Sequence, residues 1–365
     1  MRCKSEKGDR NLKRRLEKAR EKLYANKIDA LLITNPINRK YITGFTGTAG
    51  VALITENEAL FITDFRYIEQ AKEQSPHFTI IEHKDLIEQE ISKQLKHRKL
   101  KRLGFETSNV TYAAYERYKS VLDVKLVPVN NIIENIRLVK SKDELKILKK
   151  AATIVDDTFE HILDYIKPGV SELEIANELE FYMRKKGATS SSFDIIVASG
   201  HRSAFPHGVA SNKVIEHGEL VTMDFGAYYK HYCSDITRTV AVGEINKTLE
   251  TIYHTVEQAQ QLGVEKIKSG MTGKEADAIC RDYINEQGFG DYFGHSTGHG
   301  LGMEVHEGPG LTPKSTVILK PGMVVTVEPG IYVPNEGGCR IEDDIVITDR
   351  GNMRLTNAPK HLIQL

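Results

Sequence analysis

"IKPGVSELEIANELEFYMRKKG" (166–187) and "IKSGMTGKEADAICRDYINEQG" (267–288) align without a gap, at an offset of 101 residues (267 less 166). Ile, Lys, Gly, Glu, Tyr and the closing Gly are identical, and Val/Met and Ser/Thr are similar. Each copy reads as a turn, a Ser or Thr helix cap, and a helix that stops at glycine. A second matched pair follows, "GELVTMDFGAYY" (218–229) and "GMVVTVEPGIYV" (322–333). Its shared pattern, G-x-x-V-T-x-[D/E]-x-G-x-Y, sets Asp224 against Glu328 and Tyr228 against Tyr332. Two matched blocks in the same order argue against coincidence. A period near 100 is too long for a solenoid repeat. The C-terminal part therefore reads as one domain of two related αβ halves with pseudo-twofold symmetry.

Toward the N-terminus, Ser141 and Glu144 in "SKDE" form a capping-box pattern. It opens a long helix reaching toward Tyr165, stopped by "KPG" at 167–169, and it puts a domain boundary near Arg137–Ser141. Before that boundary helix and strand alternate. A helical stretch runs to about Lys27, followed by the apolar strand "DALLIT". "VALITENEALFIT" reads as two strands around a polar turn at Glu56–Glu58. "TDFRYIEQAKEQ" reads as helix, and "FTIIEH", "RLGFE" and "VKLVPV" as short strands. The expectation is an α/β domain over 1–137 and a second domain over 138–365, which suits a chain of 365 residues.

Lys+Arg and Asp+Glu are both 50. Zero net charge argues against a general affinity for nucleic acid or membrane. The start of the chain is locally basic, but Leu12, Leu16, Ala19 and Leu23 fall at helical spacing, so its charges read as the solvated face of a helix. Met1 to Arg10 carries no functional signal and reads as a disordered or extended start. No apolar segment follows it, which argues against a secretory signal, and no run reaches the length of a membrane span. The four cysteines (Cys3, Cys233, Cys280, Cys339) are scattered, as free thiols in a reducing compartment would be. The expected location is the cytoplasm.

In each half an acidic residue ends an apolar strand, Asp224 after "ELVTM" and Glu328 after "MVVTV". A second follows on the returning strand, Asp235 in "CSDITRT" and Glu342 in "CRIEDD". A buried carboxylate needs a counter-charge. Two symmetric hairpins would bring all four to one axis, where two divalent cations could neutralise them.

"GHSTGHGLGMEVHEGP" (294–309) adds His295, His299 and His306. Its glycines oppose a helix and suggest a tight loop or the start of a strand, where backbone approaches a ligand closely. No HExxH is present, which excludes a zincin. Spacing alone does not choose a ligand among the three. His207, in "GHRSAFPHGVAS", precedes the Asp224 strand much as His306 precedes the Glu328 strand, which makes them symmetric partners flanking the site.

"TMDFG", "CSDITRT", "GHSTGHGLGMEVHEGP", "TVEPGIY" and "CRIEDD" closely resemble the proline-specific metallopeptidases of the pita-bread fold, the Xaa-Pro dipeptidases (prolidases) and Xaa-Pro aminopeptidases (aminopeptidase P). The resemblance covers the C-terminal domain and extends into the N-terminal one through "NPINRKYITGFTG" and "ITDFRYIEQA". It implies a creatinase-like N-terminal α/β domain and a pita-bread catalytic domain. Carried over by position, it implies metal ligands at Asp224, Asp235, His299, Glu328 and Glu342. His306 and His207 match histidines that contact substrate and tetrahedral intermediate, and His295 another active-site histidine. Tyr332 and Arg340 match positions that orient the ligands.

Four carboxylates and one imidazole form an oxygen-rich set that favours Mn²⁺, with Co²⁺ or Zn²⁺ as substitutes, over a thiolate-type zinc site. Two such ions can hold a hydroxide and polarise a carbonyl. Glu328 would relay the proton to the leaving nitrogen, and His306 would stabilise the oxyanion. The implied partners are a small proline-containing peptide and a second copy of the chain in a homodimer. The leading reading is a dipeptidase, with aminopeptidase P as the alternative. Methionine aminopeptidases share the C-terminal fold but lack this kind of N-terminal domain. A metal-free creatinase-type hydrolase or a non-catalytic scaffold has no need of all five ligands.

Overall fold

The computed structural model describes residues 2–365, with side chains from Arg10 onward. Met1 and the thiol of Cys3 lie outside them. The chain divides into two compact units, Met1–Arg137 and Leu138–Leu365.

The first unit begins with α1 (Arg2–Ala25), so the stretch expected to be disordered or extended is helical from Arg2 on. Leu16, Ala19 and Leu23 are its buried stripe. A six-stranded sheet follows, built from β1 (Ala30–Ile33), β2 (Val51–Thr55), β3 (Ala59–Thr63), β4 (Thr79–Glu82), β5 (Arg102–Glu106) and β6 (Lys125–Val129), in the order β4-β3-β2-β1-β5-β6. The central strands are buried on both faces, which is why they read as continuous apolar runs. Helices α2 (Pro36–Thr43), α3 (Ile68–Gln74), α4 (Ile87–His97) and α5 (Tyr112–Val121) lie between them in the chain, and α6 (Ile132–Arg137) follows the last. Helix α2 is cut cleanly at both ends. Asn35 caps it, Pro36 occupies its first turn, and Gly44 ends it at φ 79°. The helix read in "TDFRYIEQAKEQ" is a short 3₁₀ turn at Phe65–Tyr67 running into α3.

In the second unit α7 (Lys142–Ile162) starts at a complete capping box, Ser141 with Glu144. The two aligned repeat copies form α8 (Glu172–Lys185) and α10 (Gly273–Glu286). Each opens with the same box, Ser171 with Glu174 and Thr272 with Glu275. Each such cap contributes about 1 kcal/mol. Glycines at positive φ, Gly187 and Gly288, turn the chain away after each helix. Between them lie β7 (Ser190–Ser191), β8 (Ile196–Ser199), β9 (Glu219–Phe225), β10 (Ala227–Tyr229), β11 (Tyr232–Cys233), β12 (Ile236–Val242) and α9 (Lys247–Lys266). After α10 come β13 (Gly298–Gly300), β14 (Glu307–Leu311), β15 (Val324–Val327), β16 (Gly330–Val333), β17 (Gly337–Arg340), β18 (Asp343–Thr348) and β19 (Gly351–Arg354).

The repeat is visible in the pairing. Strand β9 lies between β12 and β8, and β15 between β18 and β13, with every pair antiparallel. In each half the chain inserts a small hairpin between the two long strands, β10–β11 and β16–β17. Each half also has its own core. Phe159, Leu179, Met223 and Phe225 anchor the first, and Tyr253, Val256, Val325 and Val327 the second. Burying a side chain such as Phe159 contributes about 2 kcal/mol. Among the described residues no helix is long and apolar enough to cross a membrane.

Candidate metal centre

The two halves meet at a cavity of about 490 Å³. Asp224, Asp235, His299, Glu328, Glu342, His207, His295, His306 and Arg340 all line it. Tyr332 stands behind Arg340 and His295, bonded to both. A wider groove of about 780 Å³ lies on the first unit. There Arg98 pairs with Glu58 and Arg20 donates to the Thr55 carbonyl, so its charges serve the fold.

The strands explain how residues far apart converge. Asp224 is near the end of β9, opposite Ile196 of β8 and Thr237 of β12. Asp235 and Glu342 lie just before the return strands β12 and β18, one residue short of where the hairpin reading put them. Glu328 follows β15, its backbone N–H donating to the Thr297 carbonyl at 2.8 Å. Two threonines hold carboxylates by hydroxyl donation, Thr237 to Glu342 at 2.7 Å and Thr326 to Glu328 at 3.2 Å. The glycines around His299 have a different reason from the one expected. A Cβ on Gly298 would lie 2.0 Å from the Thr326 carbonyl oxygen, and one on Gly300 would lie 2.0 Å from that of Gly308. The close approach is between neighbouring backbones, where spacing falls below what any side chain tolerates.

Hydrogen bonds separate the histidines by role. His295 has both ring nitrogens engaged. Nδ1–H donates to the Ser296 carbonyl at 2.8 Å, and Nε2 accepts from the Tyr332 hydroxyl at 2.9 Å. That hydroxyl accepts in turn from Arg340 Nη1 at 2.7 Å. Burial first, then the Arg340 charge, push His295 down to about 4, so it stays neutral at pH 7. His299 is different. Nδ1–H donates to the Gly300 carbonyl at 3.1 Å, which leaves the Nε2 lone pair facing Glu328 Oε1 at 3.4 Å and Asp235 Oδ2 at 3.7 Å. As ion pairs these contacts would need a protonated ring, but burial lowers the His299 pKa. A neutral nitrogen lone pair facing two carboxyl oxygens needs a metal ion or a shared proton between them, and 3.4 and 3.7 Å are too long for a good O–H···N bond. His306 stacks edge-on against His299, ring centroids 4.4 Å apart, and is exposed to the cavity, as is His207.

The carboxylates point the same way. Burial first, then mutual repulsion, raise Asp235 and Glu342 well above the ordinary carboxylate range. Burial raises Glu328 to about 8, although Arg340 opposes this. Arg340 Nη2 binds Asp224 Oδ2 at 2.6 Å, yet Asp224 Oδ1 and Asp235 Oδ1 are buried without a hydrogen-bond partner. Asp235, His299 and Glu342 each offer a ligand atom within 4.8 Å of one another. Orphaned buried oxygens beside a free imidazole lone pair are what a divalent cation would satisfy.

Some residues at the site were not singled out from the sequence. Thr237 and Thr326 sat inside quoted motifs, the latter as the shared Thr of the strand pattern. Asp344 accepts from the Asp235 backbone N–H at 3.0 Å and also keeps a buried oxygen unpartnered. Phe193, Ile196, Val209 and Val305 give the cavity an apolar wall. Val209 and Val305 sat inside quoted stretches but were passed over for the histidines beside them, and Phe193 and Ile196 lay in no motif.

Comparison with known proteins agrees with this geometry. Residues 15–139 match the creatinase/prolidase N-terminal domain, and residues 146–349 match metallopeptidase family M24. The structure superposes on an Xaa-Pro dipeptidase from Bacillus anthracis with a TM-score of 0.96 at 57% identity, covering 97% of this chain and 100% of that one. An Xaa-Pro dipeptidase of Pyrococcus furiosus is 42% identical over 355 residues, 96% of this chain and 100% of its own length. An X-Pro aminopeptidase from Thermotoga maritima superposes with a TM-score of 0.87 at 40% identity, covering 93% of this chain and 98% of that one. With its carboxylates and histidines gathered between two repeated halves, the chain belongs to metallopeptidase family M24.

Proposed function

We propose that this chain is an Xaa-Pro dipeptidase working with two divalent metal ions, Mn²⁺ by preference. The observation that carries the metal assignment is the His299 Nε2 lone pair aimed at Glu328 and Asp235 beside unpartnered oxygens of Asp224 and Asp235. Asp224, Asp235, His299, Glu328 and Glu342 would hold the ions. When bound, the ions supply the Lewis acidity that polarises the scissile carbonyl.

The remaining work falls to the protein. Glu328 accepts a proton from the attacking water and passes it to the leaving proline nitrogen. His306 donates to the oxygen on which charge develops, and His207 contacts the substrate from the opposite side. His295 stays neutral and, through Tyr332, holds the Arg340 guanidinium that orients Asp224. The Xaa-Pro bond is a tertiary amide with no N–H to recognise, so selection rests on shape. Phe193, Ile196, Val209 and Val305 are the wall against which the ring and the preceding side chain would pack. We place catalysis in residues 138–365. Buried free thiols at Cys233, Cys280 and Cys339 support a reducing, cytoplasmic setting, and a homodimer is the expected assembly.

Identity with dipeptidases at 57% and 42% favours the dipeptidase reading, while the Thermotoga likeness favours aminopeptidase P as the second. Product analysis with Ala-Pro and Ala-Pro-Ala, with and without Mn²⁺, tests them. Metal-dependent proline release from Ala-Pro alone is expected. Free alanine plus Pro-Ala from the tripeptide would make the chain an aminopeptidase P, and no cleavage of either by metal-loaded protein would sink both.

A further inference from the structure

The segment carrying His207 is tied shut at its base by a single carboxylate. Glu172 lies in the first turn of α8 and is wholly buried. Its Oε1 accepts from Ser199 N–H at 2.8 Å and from the Ser199 hydroxyl at 3.0 Å. Its Oε2 accepts from Ser211 N–H at 3.1 Å and from the Ser211 hydroxyl at 2.7 Å. Ser199 ends β8, and Ser211 closes the excursion that contains Pro206, His207 and Val209, three residues of the cavity wall. Arg202, inside the excursion, completes the tie. Its Nε donates to Glu172 Oε2 at 2.9 Å, and its Nη2 donates to the Val209 carbonyl at 2.7 Å. The far side is held by Arg340 Nη1 on the Pro206 carbonyl at 3.1 Å. Lys213 adds a second cation, bonding the Ser199 hydroxyl at 3.0 Å and Glu219 at 2.8 Å.

A buried carboxylate that spends every acceptor on the two ends and one interior residue of a single loop fixes that loop's position. A neutral amide could not replace it, because its NH₂ would face donors. The second half uses the same device from a different place. Asp277, on the second turn of α10, accepts from Thr297 N–H at 2.9 Å and pairs with Arg281. Arg281 Nη2 then donates to the His295 carbonyl at 2.7 Å. Residue 172 aligns with Gly273 in the repeat, so the device was not copied with the helix.

We propose that Glu172, with Arg202, is a positioning residue for His207, setting where that imidazole meets the substrate. This rests on the Xaa-Pro peptidase reading above. The experiment is a double-mutant cycle of Glu172→Gln and His207→Ala, read by kcat and KM on Ala-Pro with Mn²⁺, beside hydrogen exchange over 200–210. Glu172→Gln is expected to lower kcat/KM by about 10- to 100-fold. In the His207→Ala background it should cost less than about threefold more, since residues acting as one unit are non-additive. Exchange should rise over 200–210 and stay unchanged in α8 and β9. Full additivity, or unchanged kinetics and exchange, would overturn the proposal. If Glu172→Gln fails to fold, Ser211→Ala gives the same cycle with a smaller loss. If wild-type protein cleaves no Xaa-Pro peptide, the functional reading has failed, and the exchange comparison alone still decides whether Glu172 holds the loop.

Discussion

In the first half of the C-terminal unit Ala198 of β8 stands opposite Thr222 of β9. In the second half the matching threonine is Thr326, and the residue beside it is His299, whose N–H donates to the Thr326 hydroxyl at 3.1 Å. One scaffold thus carries a methyl group in one copy and an imidazole in the other. The carboxylates differ in the same sense. Asp224 in the first half is held by the Arg340 guanidinium. Glu328, its counterpart, lies beside a neutral ring nitrogen, and its pKa is raised by burial. The repeat therefore accounts for the symmetric framework and its paired carboxylates, and the copies part at the imidazole that the second alone sets beside its threonine. Changes on the second-half side should reach metal and proton transfer directly.

The largest expected effect is at Glu328. Glu328→Ala should lower turnover of Ala-Pro with Mn²⁺ by about 10³-fold or more, and near-wild-type turnover would remove the proposed proton relay. Next is the pair of neighbouring histidines. His299→Ala gives the second half the side chain the first already has, and metal affinity should fall by about 100-fold. His306→Ala should leave metal content after dialysis unchanged while kcat drops by about 100-fold. Loss of bound metal from the His306 variant would mean that the ligand histidine has been misassigned.

A last effect, on folding and not on turnover, concerns acid stability. His295 is held at about 4 in the fold and titrates near 6.5 when exposed. As pH falls, the unfolded chain takes up this proton first, so stability is lost between pH 6.5 and about 4. The loss amounts to about 3 kcal/mol. His295→Gln should lack it. Urea midpoints at pH 7 and pH 4.5 for both proteins isolate the contribution, because the buried carboxylates titrate alike in each. An equal drop in both would show that His295 is not held neutral.

The repeat was legible because both copies keep the cap, the strand pattern and the closing glycine at nearly constant spacing. The strands of the first unit were legible for a simpler reason: they are buried on both faces, so "ALLI", "VALIT" and "ALFIT" read as unbroken apolar runs. The short hairpins β10–β11 and β16–β17 gave no such signal, since two to four residues carry no period. The choice among His295, His299 and His306 was invisible to spacing, because it depends on which ring nitrogen a nearby carbonyl occupies. Glu172 was invisible for another reason. Its partners lie 27 to 39 residues away, and in sequence it looks like any acidic residue in a first helical turn.

Gly298 and Gly300, on either side of His299, contribute no side chain to the site, yet each presses against a neighbouring carbonyl where no Cβ fits. A survey of every single substitution would rank them as intolerant as the imidazole between them. An activity screen alone would present 298–300 as one functional triplet. In the proposed mechanism only the His299 side chain meets the metal, while the outer two set the width of the sheet and the Gly300 carbonyl holds the ring. Any attempt to retune the site by directed evolution must therefore work from the apolar wall, where Phe193, Val209 and Val305 leave room to vary.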